Sequence, residues 1–127
     1  MKKLLVLTLV LLSGINLKAQ NSEDEVQVIY FHMTRRCATC LAVEEEARNA
    51  LVMNFNEKYT SGTIKLISVN LEENENPELI KKWNAKGQSL LIVKGNKKID
   101  LTSKAFLYAR TKPEKYHEEI VKAIQNI

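Results

Sequence analysis

Between Val26 and Leu71 the hydrophobic period of this chain changes twice, and two cysteines three residues apart sit at the first change. Val26 to His32 (Val-Gln-Val-Ile-Tyr-Phe-His) is β-branched and aromatic, which predicts a strand. From Cys37 to about Tyr59 the period turns helical. Cys40, Val43, Ala47, Ala50, Leu51 and Phe55 fall near one side, and Glu44, Glu45, Arg48 and Asn49 lie on more polar ground. Ser61-Gly62 stops the helix, and Thr63 to Leu71 reads as a second, largely buried strand. Strand, helix and strand in so short a span make a βαβ unit, with parallel strands and a right-handed crossover.

The rest of the chain extends that unit. Asn76-Pro77-Glu78 starts a short helix, with an Asn cap, proline in the first turn and an acid beside the helix N-terminus, running to about Trp83 or Ala85. Ser89 to Lys94 is a third strand, Gly95-Asn96 a two-residue hairpin turn, and Lys97 to Leu101 a fourth strand. Helical stretches at Ser103–Arg110 and Pro113–Ile127 finish it, divided where Pro113 interrupts. The order β-α-β-α-β-β-α predicts an α/β fold with a four-stranded mixed sheet flanked by helices. There are no repeats, low-complexity tracts or long linkers, so one domain is expected.

The first twenty residues are set apart from that domain. Met1-Lys2-Lys3 is a short positive region, Leu4 to Leu17 an apolar run with polar breaks, and Ala19 the small residue at a cut before the polar stretch Asn21 to Glu25. This is the three-part pattern of a secretory signal peptide. The alternative, an uncleaved anchor, meets an apolar run shorter than the roughly 20 residues a bilayer requires. The expectation is a signal peptide at 1–20, a domain at 21–127, and a periplasmic or secreted protein without stable membrane insertion after cleavage. Export also changes the charge argument. The full chain carries 19 basic and 15 acidic residues, but Lys2, Lys3 and Lys18 leave with the signal, so the mature part is at +1. That balance gives no support to nucleic-acid binding.

A secreted domain stapled by disulfides carries several cysteines at wider spacing. Here Cys37 and Cys40 are the only two. A bridge across so short a loop restricts the unfolded chain very little, so reactivity explains the pair better than stability. The pair lies where a strand gives way to a helix, whose unpaired N–H groups and partial positive charge stabilise a thiolate. Zinc needs four N or S ligands, and the chain offers these two cysteines with His32 and His117 and no second CxxC. No metal or cofactor is expected.

The strand Val26–His32, the motif Cys37-Ala38-Thr39-Cys40, the strand around Lys65–Glu72 and the hairpin Leu90–Asn96 together resemble the thioredoxin-like superfamily over residues 26–127. More narrowly, Phe31 to Cys40, Lys86-Gly87-Gln88-Ser89-Leu90-Leu91 and Ala105-Phe106-Leu107-Tyr108-Ala109 look like a bacterial subfamily. Its members accompany arsenic-resistance genes and are named as nitrophenyl-compound nitroreductase subunits. The resemblance implies a thioredoxin-like fold, with Cys37 exposed as the nucleophile and Cys40 more buried as the resolving thiol. The chain departs from thioredoxin in three places. Arg35-Arg36 precede the first cysteine where thioredoxin has an aromatic residue, Phe31 occupies the position of its buried acid, and Gln88 aligns where it has a cis-proline.

Around the pair, several side chains admit two readings. Arg35 and Arg36 either draw an anionic substrate or acidic partner to the thiolate or are solvated loop charges, and Arg36, adjoining Cys37, is the better candidate. Gln88 either opens the site to a small molecule or metalloid or belongs to a loop that needs no proline. His32 either accepts a proton in place of the missing acid or is simply hydrogen-bonded at a strand end. Glu44 is in reach of the same helix end, although Glu44-Glu45-Glu46 reads most simply as a solvated face. Trp83, Phe106 and Tyr108 read as core, and Thr102–Lys112 is long enough to form a docking surface near the site.

The expected activity is extracytoplasmic thiol–disulfide oxidoreduction on a disulfide-containing protein or small thiol-reactive substrate. With no NADPH-binding motif in the chain, electrons would come from another protein, a membrane thiol relay being the donor for a reductase. The rival expectation is a metalloid- or metal-binding thiol protein that captures arsenite without turnover.

Overall fold

The structure is a computed structural model that describes residues 24–127, so the expected signal peptide at 1–20 lies outside the described residues. The elements follow the predicted order: β1 (Val26–His32), α1 (Ala38–Ser61), β2 (Ile64–Asn70), α2 (Pro77–Trp83), β3 (Ser89–Lys94), β4 (Lys97–Asp100), α3 (Thr102–Tyr108) and α4 (Pro113–Asn126). Among the described residues no helix is long and apolar enough to cross a membrane.

The sheet order is β2-β1-β3-β4. β1 runs parallel to β2, with Val26 opposite Ile64 and His32 opposite Asn70. β3 is antiparallel to β1, with Phe31 opposite Ser89, and β4 is antiparallel to β3, with Leu91 opposite Asp100. β1 and β3 read as near-continuous apolar runs because helices cover both faces of the sheet centre. The β3–β4 hairpin turns at Gly95, whose φ of 58° is the left-handed conformation that a tight turn with glycine in its first central position demands.

On one face Val28, Tyr30, Leu90 and Ile92 pack with Val43, Ala47 and Leu51 of α1, Ala105 of α3, and Tyr116 and Ile120 of α4. On the other, Ile29, Phe31, Val69, Leu91 and Val93 are covered by Leu79, Ile80 and Trp83 from α2 and its end. This is the four-stranded mixed sheet flanked by helices that the sequence predicts. It brings the C-terminal ends of β1 and β2 and the start of β3 to one edge, and α1 begins there.

Candidate functional site

Cys37 and Cys40 form a disulfide at that edge, with their Cα atoms 5.0 Å apart. Cys37 is the N-cap of α1, and its Sγ accepts a hydrogen bond from the Cys40 N–H at 3.1 Å. A sulfur in the cap position takes the place of the usual oxygen and sits where the helix presents free N–H groups. The first turn of α1 has no acid to offset that partial charge. Cys37 is exposed, whereas Cys40 is 3% exposed and part of the core. An incoming disulfide can therefore meet only the first sulfur.

The loop that carries Cys37 is tied to the end of β2 by bonds between residues far apart in sequence. The Thr34 N–H donates to Glu72 Oε2 at 2.7 Å, and Asn70 Nδ2 donates to the Thr34 hydroxyl at 3.1 Å. The Glu72 N–H in turn donates to Asn70 Oδ1 at 3.0 Å, and the Leu71 N–H to the His32 carbonyl at 2.9 Å. Bonds from the Thr34 hydroxyl and N–H hold the Glu72 carboxyl below its ordinary range.

Arg36 turns inward from this loop. Its guanidinium pairs with Glu44 one side and with the His32 ring on the other, and Nη2 is 3.4 Å from Ser68 Oγ. It also lies over the Tyr30 ring, 5.9 Å from the centroid. His32 is buried, with Nδ1 2.9 Å from the Met33 carbonyl. Arg36 Nε is also 3.1 Å from Nδ1, so that atom serves one neighbour at a time: protonated it donates to the Met33 carbonyl, unprotonated it accepts from Arg36. Below it, the Tyr30 hydroxyl is buried with no hydrogen-bond partner. Burial raises the Tyr30 pKa, with Arg36 opposing and Glu44 adding to the effect.

Of the residues expected from sequence, Cys37 and Cys40 form the disulfide, Arg36 and His32 bond to each other in the loop before it, and Arg35 stands outside both, exposed. Gln88 precedes β3, and continuing the β1–β3 register places it opposite His32. Its Oε1 is buried without a partner, and the peptide bonds of the described residues are all trans. Phe31, where thioredoxin has its acid, is fully buried in the second core. Glu44 was the residue that pattern concealed. It is mostly buried between Arg36 and Arg48, so it does not belong to the solvated face that the run Glu44-Glu45-Glu46 suggests. Trp83, Phe106 and Tyr108 pack against the cores as expected. Among the described residues no three His, Cys, Asp or Glu side chains gather as a metal site.

No family model and no curated protein sequence matches the chain. Among solved structures, it is similar to the germline-specific thioredoxin Deadhead of Drosophila melanogaster, with 16% identity and a TM-score of 0.49 over 83% of this chain and 87% of that one. A malarial protein aligns with 21% identity and a TM-score of 0.43, over 73% of this chain and 97% of that one. The chemistry of the site rests on its own geometry.

Proposed function

We propose that the protein is a thiol–disulfide oxidoreductase acting outside the cytoplasm, as a reductase or electron relay of the subfamily that accompanies arsenic-resistance genes. The observation that carries this reading is the unequal pair: Cys37 exposed at the helix N-cap, Cys40 buried one turn on. In the reduced protein the Cys37 thiolate attacks one sulfur of a substrate disulfide and expels the other as a thiolate. Cys40 then attacks Cys37 Sγ, releasing the second substrate thiol and closing the protein disulfide. Two electrons pass to the substrate, and a dithiol donor protein must return them before the next cycle. Cys37 is the nucleophile and Cys40 the resolving thiol, while Arg35 and Gln88 meet the substrate and Arg36 with His32 holds the loop that carries Cys37.

Single cysteine variants test it. Cys40→Ser should trap a mixed disulfide with partner proteins and lose turnover, and Cys37→Ser should trap none. Wild-type protein should reduce insulin in the presence of dithiothreitol. Failure of both trapping and reduction across the pH range would sink the proposal.

A second reading draws support from the exposed Cys37 and from Gln88, which stands before β3 where the resemblance places a proline. Vicinal thiols at such a site would hold arsenite. Tight one-to-one arsenite binding by the reduced protein, with no disulfide reduction, would favour it over the first.

A further inference from the structure

Between Leu79 and Ile99 the chain carries six lysines and no acidic residue. Lys81, Lys82, Lys86, Lys97 and Lys98 are exposed and Lys94 is half-buried. None of the six takes part in an ion pair among the described residues; the pairs that form are Arg36–Glu44, Arg48–Glu44, Lys65–Glu25, Lys104–Glu119 and His117–Glu46. So large an unpaired charge of one sign, gathered in one stretch of a domain whose total is only +1, is a field waiting for its opposite.

The fold sets Lys82, Lys86 and Lys98 along one trough, with Lys94 and Lys97 at its hairpin end. On the second sheet face α2 covers β1 and β3, while the β4 side is left open, where Lys98 and Asp100 stand opposite Val93 and Leu91. At the Gln88 end a cleft of about 510 Å³ is lined by Trp83, Lys86, Gln88, Leu91, Lys98 and Asp100. At the hairpin end a second cleft of about 530 Å³ is lined by Lys82, Lys94 and Lys97. The acids on the margins are already engaged: Asp100 accepts from the Thr102 N–H at 2.8 Å, and Glu25 pairs with Lys65 Nζ at 2.8 Å. Glu78 lies in the first turn of α2, ahead of the lysine stretch. Gln88, at the upper end of the trough, continues the register to a point opposite His32, so this end of the trough lies at the sheet edge from which the cysteine loop leaves β1.

We propose that this lysine trough between α2 and β4 binds an acidic, extended peptide segment of the partner protein and so delivers the partner's cysteine to Cys37. The inference rests on the thiol–disulfide reading for its purpose, though not for its binding step. Charge complementarity selects the occupant. β3 is six residues long, so an extended segment of about six residues, roughly 20 Å, spans from the hairpin to Gln88. Such a surface acts chiefly on association rate and partner choice, and it weakens with salt.

Trp83 is the only tryptophan and lines the trough, so its fluorescence reports occupancy directly. The test titrates the Cys37→Ser/Cys40→Ser protein, which cannot turn over, with three peptides of equal length rich in Glu, Gln or Lys. The Glu-rich peptide should shift Trp83 emission saturably and bind at least tenfold more weakly to Lys86→Glu/Lys98→Glu. Lys58→Glu, exposed at the far end of α1, should leave binding unchanged. Equal response to all three peptides, insensitivity to the double reversal, or binding of phosphatidylglycerol vesicles without peptide binding would overturn the inference. In wild-type protein, kcat/KM for disulfide-containing versions should follow the same order. Peptide binding without reduction of any disulfide would instead sink the catalytic reading and leave the trough standing. Reduction indifferent to peptide charge would do the reverse.

Discussion

A guanidinium already engaged by a carboxylate, an imidazole and a hydroxyl has few donors left for a substrate. That is the position of Arg36, whereas Arg35 is exposed and makes no side-chain bond among the described residues. The adjacency of Arg36 to Cys37 made it the better recruiting candidate in sequence, but its surroundings assign it the task of holding the cysteine loop against α1. Arg36→Ala should leave Glu44 and the His32 Nε2 without their partner in a mostly buried setting, at a cost of about 2 kcal/mol. Arg35→Ala should change stability by no more than about 0.5 kcal/mol. It should instead slow reduction of anionic disulfides several-fold at low salt and leave cationic ones unaffected. Urea denaturation and rates with charged disulfide substrates separate the two. An Arg36→Ala protein as stable as wild type would show that the inward network is not holding the loop.

At the scale of elements, α1 bears most of the design, because one of its ends presents the sulfurs and its buried side carries Val43, Ala47, Ala50 and Leu51. Its other end closes at Gly62, whose φ of 82° lets the backbone N–H reach the Tyr59 carbonyl. A Cβ there would meet nothing closer than Lys65 Cε at 3.7 Å, so the cost of Gly62→Ala is conformational rather than steric crowding. It should destabilise by about 1 kcal/mol, seen as a lower urea midpoint at unchanged slope. No loss of stability would mean the helix end relaxes into another cap.

The helix and its stop were legible because both are local: the buried residues recur at helical spacing and the glycine follows the last turn. The Asn76-Pro77 start of α2 and the Gly95 turn were legible for the same reason. The kink at Phe55, where φ is −137° and ψ 32°, has no local marker such as proline. Glu44 was misread because its partner, Arg36, is aimed by a loop whose path depends on Thr34 bonding to Asn70 and Glu72, 36 and 38 residues away. The lysines of the trough stood together in the sequence, but only the sheet order shows that they line one open side.

For the whole molecule, three carboxylates with depressed pKa values make bonds between neighbouring elements. Glu72 holds the cysteine loop, its pKa lowered by the Thr34 hydroxyl and N–H. Glu119 joins α4 to α3, its pKa lowered first by the Lys104 hydrogen bond. At Glu25 burial raises the pKa, but bonds from Lys65 and Gln27 outweigh it and the net direction is down. A carboxylate whose folded pKa lies below its unfolded value adds stability that is complete above the unfolded value and is lost as pH falls through the folded one. Stability should therefore hold down to about pH 5 and decline below about pH 4.

The alkaline side follows from the tyrosines. Burial raises the pKa of both Tyr30 and Tyr116, so the folded state keeps protons that the unfolded state releases above about pH 10, and stability falls from there upward. The two hydroxyls differ in one respect. That of Tyr116 donates to the Val43 carbonyl at 3.0 Å, joining α4 to α1, and that of Tyr30 has no partner. Tyr116→Phe should cost about 1 kcal/mol at neutral pH, whereas Tyr30→Phe should be neutral or stabilise by about 1 kcal/mol. Both variants should flatten the alkaline limb, and Glu72→Gln with Glu119→Gln should flatten the acid limb, in urea midpoints measured across pH. A Tyr30→Phe variant less stable than wild type at neutral pH would mean that its hydroxyl has a bonding partner in solution. The aromatic floor beneath Arg36 would then belong to the polar network that holds the cysteine loop.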